Sequence, residues 1–317
     1  MNHLIAPFGL EPAVAWACAW VFGLLGAVTI ALPILRRLKP GLDHDDLMNR
    51  AKGWWIVVVA FVLAFMTGPV GILLFFGAAS LVGLRELLAL SPVPIGRPLR
   101  AFAATAVVIQ YALVAFGPWQ AAWLFLPVAA AMAVPVVAML SEAPGGFAPR
   151  VGVTWMALML AGFGLSQLPA LVLLPGIAGA PAGGRGLILF ALALAQLNDV
   201  AQYYWGKAAG KTLIVPTLSP KKTWAGFLGG VVTTAGLAWL IAPALTPIPA
   251  AWALLLGAGV AVAGFLGDLT ISALKREGGA KDAGGWLPGF GGVMDRLDSL
   301  VYVAPMLAAA VWLWWLP

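Results

Sequence analysis

Ten apolar stretches, separated by short polar or glycine- and proline-rich connections, leave this chain few ways to fold. They run over Pro12–Leu35, Trp54–Met66, Pro69–Leu90, Leu99–Phe116, Trp119–Leu140, Val151–Leu174, Leu187–Trp205, Thr223–Ile241, Ala251–Ile271 and Ser299–Leu316. A helix needs about 20 apolar residues to cross the hydrocarbon core, where it must satisfy its own backbone hydrogen bonds. The expectation is an all-α, polytopic integral membrane protein with ten transmembrane helices. Trp54–Met66 is short for a crossing, and Thr67, Gly68 and Pro69 could be a kink, so nine spans is the alternative. A hydrophobic share of 62% and a mean hydropathy of +0.98 exclude a soluble domain.

The first stretch is longer than the apolar core of a signal peptide and follows a terminus without Lys or Arg, so it reads as a retained span. It holds the single cysteine, Cys18, which excludes a disulfide or a cysteine metal cluster within one chain. A net charge of +6 is compatible with a nucleic-acid partner, but its distribution points elsewhere. With ten spans and the N-terminus outside, every one of the 18 Lys and Arg residues except Arg185 falls on the cytoplasmic side. The positive-inside rule accounts for that sorting without nucleic acid. It predicts a multi-pass protein of the inner (cytoplasmic) membrane.

The chain reads as one continuous membrane domain. Residues 1–186 form an N-terminal scaffold of Ala, Leu, Val and Gly, with Trp54, Trp55, Trp119 and Trp123 at predicted membrane boundaries. The run Asp43, His44, Asp45, Asp46 resembles a metal-binding cluster, but a solvated, helix-capping face in a polar loop fits it better. Residues 187–317 are expected to carry the chemistry, in cytoplasmic loops.

Charge in this oily chain concentrates between Gly264 and Asp298. Asp199 and Asp268 lie inside predicted spans, where a carboxylate costs at least about 2.5 kcal/mol unless it faces protein or water. Asp268, Ser272 and Lys275 fall on one helical face. Asp295 and Asp298 are one turn apart as the last span begins, where the helix dipole favours carboxylates. Asp268 and Asp295 facing each other would suit magnesium, which takes few carboxylates and leaves positions for phosphate oxygens. Pro288, Gly289, Gly291 and Gly292 precede a helix start and could cradle an anion. A third cluster, Ser219, Lys221, Lys222 and Thr223, precedes the Thr223 span.

Taken together, these residues resemble the phosphatidate cytidylyltransferase (CDP-diglyceride synthetase) family. The C-terminal signature matches at Ser272, Lys275, Arg276, Lys281, Asp282, Gly291, Gly292, Asp295, Arg296 and Asp298, with Gly267, Asp268 and Leu269 upstream. An S-P-x-K-T-W-x-G motif matches at Ser219, Pro220, Lys222, Thr223, Trp224 and Gly226. Asn198, Asp199, Gln202, Tyr203, Gly206 and Lys207 fit a variant of an earlier motif. The resemblance covers residues 195 to 305 closely and implies transfer of CMP from CTP to phosphatidate. It implies Asp268, Asp295, Lys275, Arg276 and Lys222 as catalytic groups. Ser219, Thr223, Ser272, Lys281, Asp282, Gly291, Gly292, Arg296, Asp199 and Lys207 would bind substrate. Magnesium would sit on Asp268 and Asp295 with Asp199 or Asp298, with room for a second cation, and a homodimer is compatible with the family. Phe290 stands where the family has histidine, so that position is dispensable, or this protein is slower, altered in substrate, or inactive. The same chemistry on another lipid or polyprenyl phosphate is the alternative, as is a relative that binds nucleotide or lipid without turnover.

Overall fold

The computed structural model describes residues 11–38, 43–141, 145–174, 182–285 and 291–315. All ten predicted stretches are helical where described. Nine helices among these residues are long and apolar enough to cross a membrane, and a tenth, Leu300–Leu313, is shorter. The protein is a polytopic, all-α membrane protein.

Helices α1 (Pro12–Leu38) and α2 (His44–Met66) lie at the edge of the bundle, with Trp16, Trp20, Leu24, Ile30 and Ile34 of α1 exposed. Such residues cost nothing against lipid tails. The stretch expected to be short is a full crossing, because α2 begins at His44 and takes in residues assigned to a loop. The acidic run is accordingly the first turn of α2, preceded by Asp43, whose carbonyl accepts from Leu47 N at 3.2 Å. Thr67–Gly68 is a turn and not a kink. Gly68 has a φ of 77°, α3 (Pro69–Ala89) starts with its proline, and Phe61 meets Phe75 across the junction with ring centroids 5.7 Å apart.

After α4 (Arg97–Phe116), two spans are interrupted. The fifth runs as α5 (Trp119–Leu124), a π-helical segment (Phe125–Ala130) and α6 (Ala131–Ser141). Pro127 in that segment has no N–H to continue the α-helical ladder. The sixth runs as α7 (Phe147–Ala157), a π-helical segment (Leu158–Gly164) and α8 (Leu165–Leu173). A methyl on Gly164 would lie 2.5 Å from the Val301 carbonyl oxygen, so this glycine lets the last helix approach.

The C-terminal spans are α9 (Gly183–Ala209), α10 (Trp224–Leu245), α11 (Ala250–Glu277) and α13 (Leu300–Trp315), with the single turn α12 (Met294–Leu297) before the last. Gly226, Gly230, Thr234, Ala238 and Ala242 repeat every fourth residue and form the buried stripe of α10 against its neighbours. At its centre Asn198 of α9 is fully buried and accepts from Thr234 Oγ1 at 3.2 Å. Helix α11 stops at Gly278, which packs against the Leu90 carbonyl at the end of α3, and at Gly279, with a φ of 67°. Because consecutive spans alternate in direction, the C-terminal ends of α3, α9 and α11 and the N-terminal ends of α10 and α13 share one face.

Candidate active site

The elements that share this face bring together side chains nearly 100 residues apart. Asp268 is nine residues from the end of α11, about 13 Å inside it at 1.5 Å per residue. Its Oδ2 lies 2.6 Å from Lys222 Nζ, and its Oδ1 accepts from Ser272 Oγ at 3.3 Å. Lys222 also donates to Gln202 Oε1 at 3.3 Å and sits 5.5 Å over the Phe265 ring.

The loop after α9 aims Lys222 by main-chain bonds. Ile214 N donates to the Lys222 carbonyl at 3.0 Å, Trp224 N to that of Thr212 at 3.0 Å, and Lys222 N to that of Ser219 at 3.2 Å. Thr223 then caps α10, its Oγ1 accepting from Gly226 N at 3.2 Å.

Asp199 and Asp298 complete this side of the site. Ser299 Oγ donates to Asp199 Oδ2 at 3.2 Å, and Ser299 N donates to Asp298 Oδ1 at 2.7 Å, so one serine joins α9 to the start of α13. Gly267 packs directly on the Asp298 carbonyl oxygen, where no larger residue fits. Burial, then the carboxylates of Asp268 and Asp199, push Asp298 up to about 8. The fold keeps a proton there that the unfolded chain releases, so stability falls as pH rises from 3.8 to about 8. The metal-free protein is expected to lose thermal stability in detergent across that window, and Asp298→Asn to flatten the curve.

Asp295 has its own set of partners. Its Oδ1 takes Lys275 Nζ at 2.7 Å, and its Oδ2 accepts from Ala283 N at 2.8 Å and Gly292 N at 2.9 Å. Asp268 and Asp295 therefore do not face each other bare, because each is held by its own lysine. Beside Asp295, Glu86 of α3 accepts from Val293 N and Met294 N, both at 2.9 Å. Gly291 has a φ of 76° and packs between Asp295 and Asp282.

Lys207, Arg276, Lys281, Asp282 and Arg296 lie exposed around the rim, and Ser219 is half-buried in the loop before Lys222. Pro288, Gly289 and Phe290 lie outside the described residues. Sequence reading passed over Glu86, Ser299 and Phe265. An acidic residue inside an apolar span had singled out Asp199 and Asp268, and Glu86 carries the same signal.

Among the described residues, no three His, Cys, Asp or Glu side chains gather tightly enough to enclose a metal by themselves. The oxygen set nevertheless fits magnesium, which uses one or two carboxylates and completes its shell with water and substrate phosphate. Burial, and after it the charges of Asp268 and Asp199, raise Asp298, and a bound cation would favour its ionised form.

The sequence profile of the cytidylyltransferase family matches residues 48–314. An uncharacterized protein of Escherichia coli (strain K12), YnbB, is 36% identical over 289 residues, covering 91% of this chain and 95% of its own length. The phosphatidate cytidylyltransferase of Bacillus subtilis (strain 168) is 42% identical over 125 residues, 39% of this chain and 46% of its own. That of Pseudomonas aeruginosa PAO1 is 39% identical over 130 residues, 40% of this chain and 48% of its own. Matches to these two enzymes span just under half of each.

Proposed function

The chain belongs to the cytidylyltransferase family, and from that premise we propose that it transfers CMP from CTP to phosphatidate, giving CDP-diacylglycerol and pyrophosphate. The observation that carries this reading is the recessed cluster of Asp199, Lys222, Asp268 and Asp298 at one end of a membrane bundle. The reaction joins two polyanions at the edge of a bilayer, and such a cluster supplies the charges it needs.

A phosphatidate oxygen attacks the α-phosphorus of CTP as the bond to the β-phosphate oxygen breaks and pyrophosphate leaves. The nucleophile is already ionised near neutral pH, so no strong general base is required. The demand is for alignment and for neutralisation of charge. Magnesium, when bound, neutralises triphosphate charge and polarises the α-phosphoryl group. Asp268, with Asp199, Asp298 and a remaining lone pair of Asp295, would hold it.

Lys222 and Lys275, each paired with a carboxylate, would offer their ammonium groups to phosphate oxygens of the bound substrates. Arg276, Lys281 and Arg296 on the rim draw in CTP and take up the pyrophosphate. Exposed Tyr203, Tyr204, Trp205 and Trp224 flank the site and suit the headgroup level, which keeps acyl chains in the bilayer while the phosphate reaches inward. The excess of Lys and Arg at this end supports a cytoplasmic face of the inner membrane.

A second reading, the same transfer to another lipid or polyprenyl phosphate, is favoured by one observation. A relative that matches along most of the chain is an uncharacterized protein, and the matches to phosphatidate cytidylyltransferases of Bacillus subtilis and Pseudomonas aeruginosa cover only about two fifths of it. Purified protein supplied with radiolabelled CTP and magnesium is expected to label phosphatidate in preference to other lipid and polyprenyl phosphates on thin-layer separation. Labelling of a different acceptor alone would replace the first reading with the second. Turnover of CTP with phosphatidate, compared between wild type and Phe290→His, tests that position: a large gain in the variant would show that the departure matters.

A further inference from the structure

Glu86 belongs to the part of the chain that the sequence motifs leave out, and it is only 3% exposed. Each of its oxygens is committed to the opposite end of the sequence, Oε1 to Val293 N and Oε2 to Met294 N, both at 2.9 Å. The surroundings are cut to fit a carboxylate. Gly284 packs directly on Oε1, and a methyl on Gly292 would lie 2.7 Å from Oε2. Met294 is fully buried, with its sulfur against Gly83, one turn before Glu86 on α3.

Asp295 continues the same arrangement by accepting from Ala283 N and Gly292 N while it holds Lys275. Two adjacent carboxylates from opposite halves of the chain thus hold four main-chain N–H groups of one loop. A buried N–H left without an acceptor is costly, and a bond to a carboxylate is stronger than one to a neutral group. Residues 283 and 292–294 are thereby held against α3 and α11.

We infer that Glu86 is a positioning residue for CMP transfer, one that acts through the main chain of residues 292–294 to aim Asp295, Lys275 and Asp298 at the reacting phosphates. The inference rests on the cytidylyltransferase reading above. Glu86 touches no reacting atom, and a displacement of about 1 Å in what it holds is enough to cost up to about a hundredfold in rate.

Glu86→Gln keeps the shape but turns an amide NH2 toward one of the two main-chain donors, so at least one bond is lost. Turnover of CTP is expected to fall about 10- to 100-fold in kcat with KM for CTP unchanged within about threefold, while the melting temperature in detergent falls by only a few degrees, as the loss of one buried bond requires. Hydrogen–deuterium exchange of the amides of residues 291–296, read with CTP and magnesium present, is expected to rise. Gly284→Ala, which presses on the same carboxylate from the other side, is expected to reproduce both changes. Wild-type exchange and wild-type kcat in Glu86→Gln would overturn the inference. So would a loss of kcat that follows only the fraction of folded protein. Exchange and turnover also separate this inference from the reading beneath it. Faster loop exchange in Glu86→Gln, beside a wild type that transfers CMP to no lipid phosphate, would support the clamp and sink the substrate assignment. Unchanged exchange would sink the clamp whatever the substrate.

Discussion

Asp268→Ala is expected to abolish magnesium-dependent transfer of CMP to lipid, by at least about 10³-fold, or about 4 kcal/mol of transition-state stabilisation. Asp268 is the partner of Lys222 at 2.6 Å and of Ser272 at 3.3 Å, and its charge is felt by both Asp199 and Asp298. Its removal would take away a ligand of the proposed cation and leaves Lys222 without its main partner. Asp268→Asn keeps the shape and removes only the charge, so an equal loss in both variants would identify charge as the active property. The measurement is incorporation of radiolabelled CTP into lipid, beside a melting curve that certifies folding. Near-normal incorporation would remove Asp268 from the site.

Asp295→Ala should cost both stability and rate, because its carboxylate is where three bonds meet. The Asp295 and Lys275 side chains are 7% and 15% exposed, so truncation leaves a largely buried ammonium and two main-chain donors without an acceptor. Breaking a buried pair from one side costs about 3–5 kcal/mol, which should appear as a clear drop in melting temperature. Turnover per folded molecule should fall about 100-fold, since the loop that carries Asp295, Arg296 and Asp298 is no longer held. Asp295→Asn offers one oxygen where two are used, so it should lie between Ala and wild type in stability. Raising magnesium should not restore Asp295→Asn, because the lost bonds to Ala283 and Gly292 are not made by a cation. Full recovery at high magnesium would mean that Asp295 acts only as a ligand.

Which parts of the molecule could be read from its sequence follows from the range of the forces involved. Apolar runs report helices directly, because the bilayer leaves an isolated segment no other way to satisfy its backbone. That is why all ten stretches are helical. The boundaries were less legible, as α2 shows: His44 to Lys52 are polar enough to resemble a loop yet belong to the helix. The shared face of Asp268, Ser272 and Lys275 followed from helical spacing, and Ser272 does bond Asp268. Their partners did not follow. Lys222 reaches Asp268 because the loop from Thr212 to Trp224 folds back on itself, and no local pattern states that pairing.

By itself the sequence determined the membrane class, the positions of the apolar helical stretches, the grouping of positive charge at one end, and the residue types that gather there. Each of these depends on a property of one segment and the solvent around it. Only the tertiary structure decided which carboxylate meets which cation, and that Glu86, outside every motif, closes on the loop at Val293 and Met294. Those pairings join residues from about 20 to about 210 positions apart. They exist because glycines at positions 83, 267, 284 and 292 let backbone and side chains approach closely, and close approach of distant segments is a property of packing.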